Sequence, residues 1–126
     1  MALEAFLLTR FIVIIFSKTY CPFSKKAKKI LLEKYSITPP PYVVELDEHP
    51  LGAQLQQKLG DMTGRNTVPN ILINGRSIGG GDDVEALHVN DELIDKVKTM
   101  GGKRIMEAKL VAESDRIGDK KGAKRR

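Results

Sequence analysis

The feature that most constrains the fold of this sequence is the apolar run Phe11–Phe16, in which β-branched and aromatic side chains follow one another without interruption. Such a run is typical of a strand that is buried on both faces of a sheet. Between Pro22 and Tyr35 the apolar residues recur at helical spacing and most lysines fall elsewhere, which predicts an amphipathic helix. Tyr42–Leu46 is a second strand pattern. Because strand, helix and strand follow in that order, we expect the two strands to pair in parallel.

The second half of the chain predicts a further helix, a hairpin and a helical end. Apolar residues from Leu51 to Met62 lie on one helical face, and Gly64 favours a helix end there. Asn74-Gly75 between two short apolar segments predicts a two-residue hairpin turn and antiparallel strands. The segment from Val84 to Met100 predicts one or two helices. The expected architecture is an α/β fold with the order β-α-β-α-β-β-α and a four-stranded mixed sheet flanked by helices.

Composition favours one domain with extensions at both ends. The chain has 126 residues, one cysteine and a net charge of +5. We predict a lead-in segment at 1–10, a folded domain at 11–102, and a C-terminal helix over Lys103–Glu113 with a partly disordered basic tail. The tail, residues 114–126, holds six basic and two acidic residues, and without aromatic residues it favours a solvated end over a nucleic-acid site. We expect no nucleic-acid partner.

The N-terminal residues 3–16 are apolar enough to raise the question of a membrane segment. Glu4, Thr9 and Arg10 interrupt this stretch, which is shorter than the roughly 20 residues that a membrane span needs. It also lacks the basic start and the small-residue cleavage site of a signal peptide. We therefore expect no membrane span in this chain.

Cys21, the only cysteine, follows the first predicted strand and precedes the first predicted helix. The unpaired N–H groups and the positive dipole end of a helix stabilise a thiolate, and Lys18 adds positive charge nearby. Pro22 suits the first position of a helix. A lone cysteine is otherwise commonly buried and inert, but this context favours a reactive thiol with a lowered pKa.

Three motifs in this order resemble the glutaredoxins, a family with the thioredoxin fold, and the resemblance covers Phe11–Met100. Sequence details within this region look most like the monothiol glutaredoxins of the fungal secretory pathway (ER and Golgi). The three motifs are Cys21-Pro-Phe-Ser24, Thr63-Gly64 with Thr67-Val68-Pro69, and Gly79-Gly80 with Asp82-Asp83; the finer likeness rests on the first of these, on Val-Glu-Leu-Asp at 44–47 and on Ala-Leu-His at 86–88.

The resemblance implies a glutathione-dependent thiol–disulfide oxidoreductase with Cys21 as the catalytic nucleophile. Its thiolate would attack the glutathione sulfur of a protein–glutathione mixed disulfide, and a second glutathione would regenerate the thiol. Dithiol members have a second cysteine where this chain has Ser24, so a two-cysteine mechanism is not expected. The implied partners are glutathione, glutathionylated proteins and, indirectly, glutathione reductase, with the protein mainly a monomer.

The resemblance also implies a glutathione site, although each of its residues has an ordinary structural alternative such as a solvated surface position, a strand start or a connecting loop. Lys18 and Gln56 would bind the glycine carboxylate, with Arg65 as a helper. Val68, before a Pro69 expected to be cis, would pair its backbone with the cysteinyl part of glutathione. The backbone from Gly80 to Asp82 would bind the γ-glutamyl carboxylate, and the Asp82 side chain its ammonium. The full predicted set is Lys18, Phe23, Gln56, Thr67, Val68, Pro69, Gly80, Gly81 and Asp82.

An alternative function is a [2Fe–2S] carrier in which two chains share a cluster through two Cys21 thiolates and two glutathiones. Pro22 counts against it, because cluster-holding relatives more often have a smaller or more flexible residue there. We predict no other metal site, since His49 and His88 have no zinc-like spacing with one cysteine.

The compartment depends on what precedes the domain. Secretory relatives carry an N-terminal membrane anchor, and this sequence begins just before the first strand without one. We therefore expect a cytoplasmic protein, or a protein of the ER or Golgi lumen if an anchor has been removed.

Overall fold

The computed structural model describes residues 2–111, so the predicted basic tail at 114–126 and the end of the predicted C-terminal helix lie outside the described residues. The elements in chain order are α1 (Ala2–Arg10), β1 (Val13–Ser17), α2 (Pro22–Lys29) with a π-helical continuation (Ile30–Lys34), β2 (Tyr35–Thr38), β3 (Tyr42–Glu45), α3 (Gly52–Thr63), β4 (Asn70–Ile73), β5 (Arg76–Gly79), α4 (Gly81–Val89), α5 (Leu93–Gly101), a 3₁₀ turn (Gly102–Arg104) and β6 (Glu107–Leu110).

The predicted four-stranded mixed sheet is confirmed, with the strand order β3-β1-β4-β5. β1 is parallel to β3 and antiparallel to β4, and β4 and β5 are antiparallel neighbours. Asn74 and Gly75 have φ values of 52° and 82°, the left-handed pair that a type I′ hairpin turn requires. The chain thus has the expected α/β thioredoxin-type architecture.

β1 is buried on both faces, which is why its sequence is apolar without alternation. Val13 and Ile15 belong to a core cluster that includes side chains of α2, α4 and α5. Ile14 and Phe16 belong to a second cluster that includes side chains of α1 and α3. The sheet therefore lies between two layers of helices, and the end of β1 is held firmly in the middle of the fold.

The predicted helix over Lys103–Glu113 is wrong in its described part, because Glu107–Leu110 forms strand β6. β6 pairs with β2 in a separate two-stranded antiparallel sheet, in which Ile37 lies opposite Ala108, and both are buried. The sequence Glu-Ala-Lys-Leu has good helix propensity, but a partner strand and a buried face outweigh local propensity. β2 was not predicted either: the predicted helix continues to Tyr35, and the remaining segment 36–38 is too short to be assigned as a strand.

The helices within residues 2–111 are each too short or too polar to cross a bilayer. Leu7 of α1 is buried in the core cluster with Phe16, so the predicted lead-in segment forms a helix that packs on the domain. The proposed domain boundaries themselves stay a prediction.

Helix α3 offers a stability test with a matched pair of leucines. Leu55 is fully buried, whereas Leu51 at the start of the helix is 39% exposed. We expect Leu55→Ala to lower the free energy of unfolding by about 3 kcal/mol, because it removes buried methyl groups and leaves a cavity. Leu51→Ala should cost less than about 1 kcal/mol. Urea unfolding followed by circular dichroism measures both, and equal losses would contradict the assigned core.

Candidate active site

Cys21 lies at the N-terminus of α2, where the sequence predicts it. It is the N-cap residue, with an extended backbone, and Pro22 is the first residue of the helix. Its N–H donates to the carbonyl of Lys18 at 3.1 Å, and its carbonyl accepts from the N–H of Lys25 at 3.0 Å. These two bonds fix the direction in which the loop after β1 enters the helix.

The thiol of Cys21 has a lowered pKa, as predicted. Partial burial raises the pKa, but hydrogen bonds from the Ser24 hydroxyl and from the N–H groups of Ser24 and Phe23 lower it by more. The positive charge of Lys18 lowers it further. Because Cys21 is only half-buried, this stabilised thiolate can be reached by a substrate.

Ser24 has a role that sequence reasoning missed. Its side chain is fully buried, and its Oγ accepts a hydrogen bond from the N–H of Lys18 at 3.4 Å. The hydroxyl proton is then free to point at the Cys21 sulfur. The three-residue spacing between Cys21 and Ser24 could have indicated this contact, because the third residue of a helix is the usual partner of an N-cap side chain. The interpretation based on sequence treated Ser24 only as a missing second thiol.

Val68 and Pro69 lie on the other side of the thiol. The Val68–Pro69 peptide bond is cis, as the resemblance implies. The Cys21 Sγ lies 3.9 Å from the carbonyl oxygen of Val68, across 47 residues of sequence. The loop before β4 is therefore brought into contact with the loop after β1, and the backbone of Val68 borders the reactive sulfur.

Three chain segments surround the Cys21 thiol and form the walls of the site. The first is the loop after β1 with Lys18, the second is Val68 with Pro69, and the third is the glycine run. Gly80 and Gly81 are buried, and α4 starts at Gly81. A β-carbon on Gly81 would lie only 2.7 Å from the Phe23 carbonyl oxygen, and one on Gly80 would overlap the Arg65 guanidinium and lie 3.1 Å from the Pro69 oxygen. Backbone contact therefore requires glycine at Gly81, whereas a side chain at Gly80 would have to displace the Arg65 guanidinium from its place beside Pro69.

Two predicted contacts for the glycine carboxylate are already engaged within the protein. The Gln56 side-chain amide donates to the carbonyl of Asn66 at 2.7 Å, which ties α3 to the loop before β4. Arg65 donates from Nε to the carbonyl of Pro69 at 3.2 Å. Both side chains therefore brace the Val68 loop. Thr67 of that loop is exposed, and Lys18 is half-buried before Cys21.

Asp82 lies at the exposed start of α4, with its Oδ1 2.7 Å from the Nζ of Lys26. The neighbouring Asp83 instead caps the helix, since its Oδ2 accepts from the N–H of Gly80 at 2.8 Å. The two adjacent aspartates therefore have different partners, and Asp82, which bonds a side chain of α2, is the one that the resemblance places opposite an ammonium.

Asp47 is a second positioning residue that sequence reasoning missed. Its carboxylate accepts hydrogen bonds from both the hydroxyl and the N–H of Thr19, the latter at 3.0 Å. Hydrogen bonding from Thr19 is the main cause that lowers the pKa of Asp47. The contact fastens the loop that carries Cys21 to the segment that follows β3.

The two histidines have structural roles in the described residues. His49 accepts the N–H of Leu51 on Nδ1 at 2.9 Å, and His88 Nδ1 lies 2.7 Å from the Tyr35 hydroxyl. In the part of the chain that the structure describes, no three His, Cys, Asp or Glu side chains are grouped as metal ligands.

The thiolate stabilisation predicts a pH profile for alkylation of Cys21. The rate with iodoacetamide should rise at a lower pH than for an ordinary thiol, because the pKa is lowered. Ser24→Ala should raise the pKa, and the rate at neutral pH should fall about threefold, as expected for one lost hydrogen bond. Ser36→Ala, on the separate small sheet, is the matched control. An unshifted profile in Ser24→Ala would show that this hydroxyl does not act on the sulfur.

Comparison with known proteins gives consistent matches. The sequence profile of the glutaredoxin family matches residues 13–78. The chain is 50% identical over 86 residues to monothiol glutaredoxin-7 of Saccharomyces cerevisiae, which covers 68% of this chain and 42% of the yeast protein. It is 44% identical over 91 residues to glutaredoxin-C4 of Arabidopsis thaliana, with 72% and 65% covered. The chain thus spans less than two thirds of either curated relative.

Solved structures support the same assignment. A buckwheat glutaredoxin–glutathione complex superposes with a TM-score of 0.67 and 31% identity, over 79% of this chain and 88% of that chain. The holo form of glutaredoxin C1 from Populus tremula x tremuloides gives 0.65 and 38%, with the same coverage. Because the family profile covers just over half of the sequence and the fold agrees, this chain belongs to the glutaredoxin family.

Proposed function

We propose that this protein is a glutathione-dependent thiol–disulfide oxidoreductase that works by a monothiol mechanism on protein–glutathione mixed disulfides. The observation that carries the proposal is the environment of Cys21: a half-exposed thiol with a lowered pKa, and a buried serine hydroxyl where a dithiol enzyme has its second sulfur. The membership of the chain in the glutaredoxin family supports it.

The proposed reaction has two balanced exchange steps. The Cys21 thiolate attacks the glutathione sulfur of the mixed disulfide, the disulfide bond breaks, and the protein thiolate leaves and takes up a proton. The thiolate of a second glutathione then attacks the sulfur of glutathione bound to Cys21. Oxidised glutathione is released, and Cys21 returns as a thiolate. A stabilised thiolate serves both steps, as the nucleophile in the first and the leaving group in the second.

The three walls around Cys21 match the chemistry of glutathione. Lys18 supplies positive charge for the glycine carboxylate, and the Val68 backbone suits the extended cysteinyl part. The free N–H groups at the start of α4 suit the γ-glutamyl carboxylate. The carboxylate of Asp82 can pair with the γ-glutamyl ammonium. The similarity to a glutaredoxin solved in complex with glutathione supports this assignment.

The same proposed site includes three further residues with different roles: Gln56, Arg65 and Thr67. Gln56 and Arg65 act mainly by holding the Val68 loop, since both donate to its backbone or to the residue beside it. In this loop the exposed side chain of Thr67 can contact a ligand directly, beside the backbone of Val68. The secretory-pathway subtype and the compartment stay predictions.

The alternative predicted from the sequence, a [2Fe–2S] cluster shared by two chains, would use the same thiol. Its protein ligand would be the half-exposed Cys21 of each chain, and glutathione would supply the remaining sulfurs. The rigid Pro22 at the start of α2 favours the enzyme, because it fixes the direction of the helix entry next to the sulfur.

Turnover with a small glutathione mixed disulfide tests the proposal. With glutathione, glutathione reductase and NADPH present, the wild-type protein should consume NADPH, and Cys21→Ser should abolish the reaction. Ser24→Ala should keep activity within several-fold of wild type, because the hydroxyl does not exchange sulfur. Lys18→Gln should raise KM for the mixed disulfide several-fold, because it removes an attraction for a carboxylate.

The same preparation separates the two functions. Anaerobic reconstitution with iron, sulfide and glutathione should leave a colourless monomer with full turnover. A brown, glutathione-dependent dimer with little turnover would favour the cluster carrier, and undetectable wild-type turnover would defeat the enzyme proposal.

A further inference from the structure

Helices α2 and α4 are joined by one lysine and two carboxylates. The Nζ of Lys26 lies 2.7 Å from Asp82 Oδ1 and 3.1 Å from Glu85 Oε1. It also lies 5.4 Å from the centre of the Phe23 ring. Hydrogen bonds to Asp82 and then to Glu85 raise the pKa of Lys26, so this ammonium stays charged. Phe23 lies two residues after Cys21 and connects the cluster to the first turn of α2.

The geometry gives Lys26 two alternative partners. Asp82 and Glu85 are three residues apart on α4, so they project from the same face of the helix. Lys26 bonds both at once, and its side chain is less exposed than either carboxylate, at 31% against 74% and 49%. The lysine can therefore leave Asp82 and keep Glu85 without leaving the cluster.

This arrangement bears on the proposed substrate. In the proposed site Asp82 receives the γ-glutamyl ammonium, yet in the free protein an ammonium is already bonded to it. A ligand that brings its own ammonium must then exchange one cation for another. Such an exchange is weaker than binding to an unoccupied carboxylate, since the gain for the ligand is offset by the pair that is lost.

We propose that Lys26 is a specificity-determining residue that competes with the γ-glutamyl ammonium of the substrate for Asp82, and that Glu85 receives the lysine when the substrate binds. The inference rests on the proposed function and adds to it how the affinity for the ammonium is set. A substrate that lacks this ammonium does not displace Lys26 and gains nothing from Asp82.

Two other roles for Lys26 predict the opposite sign. If the lysine lowered the pKa of the thiol, its removal would slow the reaction, but the lysine charge that acts on Cys21 is that of Lys18. If it bound a substrate carboxylate, its removal would raise KM. Only competition for Asp82 predicts that replacing Lys26 by a neutral residue lowers the KM for the glutathione mixed disulfide below that of wild type.

The test compares Lys26→Gln with Lys29→Gln, a second α2 lysine that is exposed and makes no ion pair with the described part of the chain. Two substrates are used: the mixed disulfide of glutathione with 2-mercaptoethanol, and the same compound without the γ-glutamyl amino group. We expect Lys26→Gln to lower KM about threefold for the first substrate, with kcat kept, because an exposed competing pair is lost. KM for the second substrate should not change.

Further variants fix the direction of the effect. Glu85→Gln should raise KM for the glutathione substrate about twofold, because Lys26 loses its alternative partner. Lys26→Arg should keep the wild-type KM, since the charge remains, and Lys29→Gln should match wild type.

Three results would overturn the inference: an unchanged or higher KM in Lys26→Gln, an equal fall of KM for the substrate without the amino group, or a lower KM in Glu85→Gln. If wild-type turnover is normal and any of these results is found, only the proposed competition by Lys26 is refuted, and the proposed function stands. Absence of wild-type turnover would remove the proposed function and this inference together.

Discussion

Burial of β1 on both faces is the constraint on which the rest of the structure depends. Its alternate residues pack into two separate cores. A shift of the strand along its axis or in its register would therefore expose apolar side chains of one of these cores. The loop that carries Cys21 begins where this strand ends. The position of the thiol is therefore set by a strand that packs into both cores, although the loop itself contributes little to them.

The reactive site is built by close contact between chain segments that are distant in sequence. The loop after β1 meets Val68 before β4, and the glycine run before α4 packs against both Phe23 and Pro69. Such contacts leave no room for a side chain at Gly81, and at Gly80 a side chain would displace the Arg65 guanidinium. They also place the N-termini of α2 and α4 close together, where the first N–H groups of α2 bond the Cys21 sulfur and those of α4 suit a carboxylate.

The fold and the position of Cys21 could be predicted because their signals are local. The apolar run of β1, the Asn74-Gly75 turn and the cysteine before Pro22 each have a physical reason within a few residues. β6 could not be predicted, because its sequence favours a helix and only pairing with β2 makes it a strand. The Lys26–Asp82 pair likewise joins residues 56 positions apart. Family resemblance predicted Asp82 as a ligand contact but could not show what occupies it in the free protein.

The central claim is that the site around Cys21 selects the glutathione sulfur of a mixed disulfide. Mass spectrometry of the protein after brief reaction with glutathione–2-mercaptoethanol disulfide, without free glutathione, tests it most directly. The account predicts that glutathione is left on Cys21 and 2-mercaptoethanol is released. An adduct of 2-mercaptoethanol on Cys21, or a mixture of both adducts without preference, would contradict it.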